Sequence, residues 1–173
     1  MPTVPDELKK ANRYHLTMVD MQEAKKFLDT CLDLKKSFQD GAHEVAIEAL
    51  VIAAIVSYCR PFKESYSYGF AEKKVKIEDY HWIKNNPEQM KLHTFLEEKR
   101  DEVIAHSDWK KRSTTLVELT DKKVVRTYIL ADVMDGLCIT SFRELVFAVE
   151  RDSYYMAMGH QGTMWARKIP WNV

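Results

Sequence analysis

Arg100, Asp101 and His106 fall within seven residues, in Arg100-Asp101-Glu102-Val103-Ile104-Ala105-His106, with Ser107-Asp108 directly after. Arginine carries a planar fork of donors that suits a phosphate and stays charged. Histidine titrates near neutrality and can take or give a proton. Beside a ribose 2′-hydroxyl and its neighbouring phosphate, that pair has what RNA cleavage without a metal requires. Asp101, which falls on the outward side of the helical projection, is available to orient Arg100 or a partner side chain. The same residues also have a plain structural reading, as solvated or ion-paired groups at a helix end. There the dipole favours a cationic His106, and Asp108 bonds the turning chain.

Other groups surround this segment. Arg60 ends a preceding apolar stretch and is either a second phosphate ligand or a helix-capping partner of a carboxylate. Trp109-Lys110-Lys111-Arg112, with Lys122, Lys123 and Arg126, forms the one notable basic cluster. An RNA strand leaving the site could follow Lys110, Lys111 and Arg112, with Trp109 as a stacking surface. His93 shares a helical face with Arg100. His15, His43, His81 and His160 have no partner spacing.

The element that must carry the motif is an amphipathic helix from Pro87 to about His106, opened by a first-turn proline and an acid. Leu92, Phe95, Leu96 and Val103, with Lys99 on the same side, predict the buried stripe. Arg100 and His106 fall on opposite borders of that stripe, about 120° apart at 100° per residue. One ideal helix therefore does not pair them. Either the helix unwinds after Val103, or two copies contribute both residues to one cleft, as a symmetric dimer does automatically.

Periodicity predicts further helices over Met18–Phe38, Gly41–Cys59 and Asp132 to about Tyr155. Gly41–Cys59 is apolar on nearly all sides, which places it mid-bundle or at a subunit interface, and Pro61 stops it. Residues 62–86 read as an aromatic-rich connection packed over the bundle, with a short helical turn near 77–83. The β-branched runs Thr114–Leu119 and Val124–Leu130 predict a small β-hairpin. The tail from Gly159 is expected to lie against the body or a second subunit.

A chain of 173 residues suits a single domain, 1–173, with a real core. Its five Gly and five Pro favour helices over a turn-rich all-β fold. Lys+Arg and Asp+Glu are 26 each, so nucleic-acid attraction must come from a local patch, not from the whole molecule. Cys31, Cys59 and Cys138 are odd in number and widely spaced, so neither a zinc site nor another metal is indicated. The longest apolar run, Ala49–Val56, falls short of a bilayer span, and the N-terminus lacks a signal-like run. A cytoplasmic protein without membrane contact is expected. P-loop, GxGxxG, HExxH and GxSxG patterns are missing from the sequence.

Leu96-Glu97-Glu98-Lys99-Arg100-Asp101-Glu102-Val103-Ile104-Ala105-His106-Ser107-Asp108 resembles the motif of the HEPN superfamily, an arginine, a polar residue, then a histidine after a short gap. The form RDEVIAHSD is similar to members allied to abortive-infection proteins, in which an earlier helix resembles Ile55-Val56-Ser57-Tyr58-Cys59-Arg60-Pro61-Phe62. The two segments cover roughly residues 45–108. The resemblance implies a mainly α helical bundle, commonly homodimeric with the motif near the interface, and a metal-independent endoribonuclease without a cofactor. Such proteins act as toxins or antiviral effectors, with an antitoxin protein as a partner in some cases. It implies that Arg100 binds the scissile phosphate, that His106 is the acid/base or a phosphate ligand, and that Asp101 supports them. Many relatives bind RNA or nucleotide without cleaving, which is the alternative expectation. The hairpin near 114–130 has no counterpart in that pattern.

Overall fold

The computed structural model describes residues 4–37, 44–64, 70–72, 74–104, 114–119, 122–127, 134 and 136–166. Helix α1 (Asp6–Ser37) is one continuous helix, with Asp6 and Glu7 in its first turn and Lys35 and Lys36 in its last, as the macrodipole favours. It begins well before the Met18 start that periodicity suggests. The reason is polar residues on its inner face: Arg13, Thr17 and Asp20 are buried beside Ala11, Met21 and Ala24, so the apolar period fades there. Each of these polar groups has a partner. Arg13 Nη2 donates to the Pro61 carbonyl at 2.7 Å, Thr17 Oγ1 to the Arg13 carbonyl at 2.9 Å, and Asp20 receives Arg60.

Helix α2 (Glu44–Cys59) ends where Pro61 predicts, passing into a 3-10 turn over Arg60–Phe62. It is not buried all round. Val51, Ala54, Ile55, Tyr58 and Cys59 enter the core, while Val45 near its start is 81% exposed. By length and composition Glu44–Phe62 is apolar enough to cross a membrane, with a mean hydropathy of 1.7, although the longest unbroken apolar run is much shorter. Its inner face is nevertheless that of a core helix, packed on α1 and on α4 (Pro87–Ile104).

Between α2 and α4 the chain is pinned down at several points. Val75 N–H donates to the Pro61 carbonyl at 2.9 Å, and Asn12 Nδ2 on α1 donates to the Phe70 carbonyl at 2.8 Å. A 3-10 turn at Ile77–Asp79 and the short α3 (His81–Lys84) carry Tyr80 and Ile83 into the core. The Tyr80 hydroxyl is 2.9 Å from Ser153 Oγ. Asn86 then caps α4, its Oδ1 accepting the backbone N–H of Glu88 at 3.2 Å and of Gln89 at 3.4 Å.

Strand β1 (Thr114–Leu119) pairs antiparallel with β2 (Lys122–Thr127), with Leu119 opposite Lys122 and Thr114 opposite Thr127. The last helix, α5 (Ile139–Ala166), starts later than the expected Asp132 and continues through Gly159. Gly136 explains the start: its φ of +74° is left-handed and incompatible with an unbroken helix. Helix α5 runs antiparallel to α1, as the ion pairs Lys25–Glu150 and Asp29–Arg143 show, since the partner number falls along α5 as it rises along α1.

The result is a mainly α-helical bundle whose core holds Met21 and Leu28 of α1, Ile55 and Tyr58 of α2, Leu96 of α4, and Phe142 and Val146 of α5. Phe142 is fully buried and sits edge-on to Tyr58 at 5.5 Å between ring centroids. Phe142→Ala is expected to destabilise the fold by about 3–5 kcal/mol in urea unfolding, from lost burial plus a cavity. Val45→Ala at the exposed start of α2 should stay within about 0.5 kcal/mol. Equal effects of the two substitutions would contradict this assignment of the core.

Candidate functional site

Arg100 and Asp101 lie at the start of the last turn of α4, Arg100 just before it and Asp101 its first residue, and they are joined there. Arg100 Nη1 donates to Asp101 Oδ1 at 2.8 Å. The Arg100 side chain is 27% exposed and the Asp101 side chain 53%. His106 and the basic segment Trp109, Lys110, Lys111 and Arg112 lie outside the described residues. The basic positions on β2 are fixed in register: Lys122 stands opposite Leu119, Lys123 opposite Glu118 and Arg126 opposite Thr115.

The inner face of α4 differs from the predicted stripe. Among its described side chains Leu96 and His93 are buried, while Leu92, Phe95 and Lys99 are only partly covered; the side chain of Val103 lies outside the described residues. Helical geometry puts Arg100 between Leu96 and His93 in projection. The arginine therefore stands on the side of the helix turned toward the body, and its guanidinium emerges beside Asp101. The apolar count misjudged this face because His93, a polar residue, occupies a core position.

His93 is 3% exposed. Its Nδ1 is 2.9 Å from the hydroxyl of fully buried Tyr58, and its Nε2 is 3.5 Å from Glu97 Oε2. The neutral tautomer that satisfies both contacts accepts the Tyr58 hydroxyl at Nδ1 and keeps its hydrogen on Nε2, toward Glu97. The Phe62 ring stacks edge-on to the imidazole at 4.9 Å, closing the site on one side. Glu97 Oε1 in turn pairs with Lys63 Nζ at 3.2 Å, and Lys63 also reaches Asp101 Oδ2 at 3.3 Å. A continuous line of contacts thus runs from the Tyr58 hydroxyl to the Arg100 guanidinium.

The charges respond to this arrangement. Burial is the largest influence on His93 and pushes its pKa down; the Glu97 charge opposes it, and Lys63 adds to it. The hydrogen bond from Arg100 is the main cause that holds the Asp101 carboxyl below its usual range; burial opposes it slightly, and Lys63 reinforces it. Burial pulls Lys63 down, but the bonds and charges of Glu97 and Asp101 outweigh that and raise its pKa. Cys59 is no nucleophile: burial pushes its thiol up to about 12, and it donates to the Leu96 carbonyl at 3.5 Å.

Arg60 belongs to a different set of contacts. Its Nη1 pairs with Asp20 at 2.6 Å and with Glu23 at 3.1 Å, both on α1, and Glu23 also accepts the Ser57 hydroxyl at 2.8 Å. A phosphate there would have to compete with two carboxylates, so Arg60 reads as the tie between α2 and α1. Among the described residues no three His, Cys, Asp or Glu side chains converge as metal ligands.

A polar cleft of about 210 Å³ opens over the His93–Glu97 pair, walled by Phe62, Lys74, Lys76 and Glu78. It has room for several waters or a small polar group, not for a strand. Lys63 and Glu97 were not legible as site residues from motif spacing. One signal does point to them: Glu97 and Asp101 are like charges four apart on one helix, an arrangement that is unfavourable without a cation between them.

Unfolded, His93 titrates near 6.5, and burial places its folded value lower, so below 6.5 the unfolded chain binds the extra proton. The stability tied to the neutral ring is complete above 6.5 and declines as pH falls, by at most about 1.4 kcal/mol per pH unit. His93→Gln should flatten this part of the pH–stability profile in urea titrations between neutral and mildly acidic buffers. A profile of unchanged slope would show that His93 is not the titrating group.

No family model matches the chain, no curated protein matches it in sequence, and no solved structure matches it in fold.

Proposed function

We propose that the chain is a HEPN-like, metal-independent endoribonuclease with Arg100 and His106 as its catalytic pair, acting as a toxin or phage-defence effector. The observation that carries this reading is the placement of Arg100. It sits on the body-facing side of the final described turns of α4, its guanidinium oriented by Asp101 and Asp101 itself bridged by Lys63. An arginine held in this way is pre-set for a phosphate, at little cost in side-chain entropy on binding.

In the proposed reaction His106 takes the proton of a ribose 2′-hydroxyl. The oxygen attacks the adjacent phosphorus, and the 5′-oxygen of the next nucleotide leaves, taking up a proton. The products are a 2′,3′-cyclic phosphate and a 5′-hydroxyl, and Arg100 stabilises the negative charge that builds on the non-bridging oxygens. Because Arg100 and His106 diverge by about 120° on one ideal helix, a homodimer supplies the pair in this reading, each protomer giving one residue to a shared cleft. The basic residues Lys110, Lys111 and Arg112 and the β1–β2 pair would guide the strand away from it.

A second reading is favoured by one observation. Asp101 partly neutralises the Arg100 guanidinium, which lowers its capacity to stabilise a transition-state charge more than its capacity to contact a bound phosphate, as in a dimeric HEPN-like protein that binds RNA or nucleotide without cutting it.

Purified protein with an RNA panel in excess EDTA tests the first reading. Wild type should cleave. Arg100→Ala should lose about 10²–10³-fold and His106→Ala about 10²–10⁴-fold in rate, with folding retained. RNA binding without cleavage across a broad panel would support the second reading. Cleavage that both variants retain in full would remove this pair from the chemistry.

A further inference from the structure

We propose that Lys63 is the positioning residue for Arg100: it couples the buried Tyr58–His93–Glu97 group to the exposed Asp101 carboxylate that sets the arginine. The inference rests on the reading that Arg100 is the phosphate ligand. Lys63 is the residue after the Arg60–Phe62 turn, in extended conformation, and its N–H returns to the Arg60 carbonyl at 3.4 Å. The turn forced by Pro61 aims the next side chain across to α4. There Nζ lies 3.2 Å from Glu97 Oε1 and 3.3 Å from Asp101 Oδ2, bridging two acids one turn apart.

The two ends of this bridge are unlike. Glu97 is fixed, because its other oxygen faces the Nε2 of His93, whose ring is locked by the Tyr58 hydroxyl in the core. Asp101 is not fixed from below. Its side chain is 53% exposed, and its remaining described contact is the Arg100 guanidinium at Oδ1. Asp101 and Arg100 without Lys63 are an adjacent pair at the rim whose acid is half exposed, free to exchange rotamers and bind water. With Lys63 they are referenced to a buried tyrosine. The lysine thus converts core rigidity into the orientation of a surface guanidinium, the supporting-shell role that loosely built sites lack.

A merely structural lysine would behave differently. Exposed ion pairs add little to stability, so Lys63→Met should leave the melting temperature within a few degrees of wild type. Its effect should appear instead in Arg100. The test is ¹H–¹⁵N NMR of the Arg100 Nε–Hε group and ¹³C titration of the Asp101 carboxyl in wild type, Lys63→Met and Lys63→Arg, beside single-turnover RNA cleavage. The expected result for Lys63→Met is a shifted or broadened Arg100 signal and an Asp101 pKa that moves up. Cleavage should slow about tenfold or more with KM little changed, and Lys63→Arg, which keeps the charge, should restore most of each property. Glu97→Gln, which cuts the bridge at its other end, should loosen Arg100 in the same sense and covers the case in which Lys63→Met fails to fold. An Arg100 signal and an Asp101 titration unchanged in Lys63→Met would overturn the proposal, whatever the RNA result. A disturbed Arg100 in protein that never cleaves RNA would uphold the coupling and sink the nuclease reading alone.

Discussion

The hydroxyl of Tyr58 has no access to water, and a buried hydroxyl left without a partner costs roughly 1–3 kcal/mol. His93 is its partner, 2.9 Å away on another helix. That one hydrogen bond fixes the rotation of α4 about its axis, because His93 must face α2. Once the rotation is set, Leu96 enters the core, Glu97 comes to the rim and Arg100 and Asp101 follow at the end of the helix. The aromatic packing around Tyr58, from Phe62 and Phe142, shields its hydroxyl and keeps the bond in place.

From this anchor the polar contacts grade outward. Tyr58 and His93 are neutral and buried, Glu97 and Lys63 are each 31% exposed, and Asp101 is more exposed still. The order is physically sensible. Charges are costly inside and cheap at the rim, so the chain passes from neutral hydrogen bonds to ion pairs as solvent access rises. On the other side of α2 a separate set, Arg60 with Asp20 and Glu23, ties the same turn to α1. The turn at Arg60–Phe62 is held from both directions.

Much of α4 and the end of α2 is legible in the sequence, because prolines and a first-turn acid mark the boundaries by sterics and the helix dipole alone. Periodicity misses the first turns of α1 because Arg13, Thr17 and Asp20 are buried polar residues, satisfied by Pro61, the Arg13 carbonyl and Arg60, and leave no apolar trace. Helix α5 begins at Ile139 and not at Asp132 because the left-handed Gly136, invisible to an apolar period, interrupts the run. His93 could be placed on the Arg100 face from the helical repeat, but its burial depends on Tyr58, 35 residues away. Lys63 stands 38 residues from Asp101, and nothing in local spacing links them. The arginine and its acid were thus visible as a motif, whereas the device that orients them exists only in three dimensions.

The proposed cleavage requires Arg100 of one protomer and His106 of another to meet at a single phosphate. Mixed dimers answer this directly, by co-expressing an Arg100→Ala chain with a His106→Ala chain and isolating the heterodimer through two different tags. In that species one of the two shared sites keeps an intact Arg100 and an intact His106, contributed by different chains. The account predicts that the heterodimer cleaves RNA at about half the wild-type rate while each variant homodimer is inactive, as one working site of two requires. A heterodimer as inactive as its parents, beside an active wild type, would contradict the composite site and place both residues in one chain.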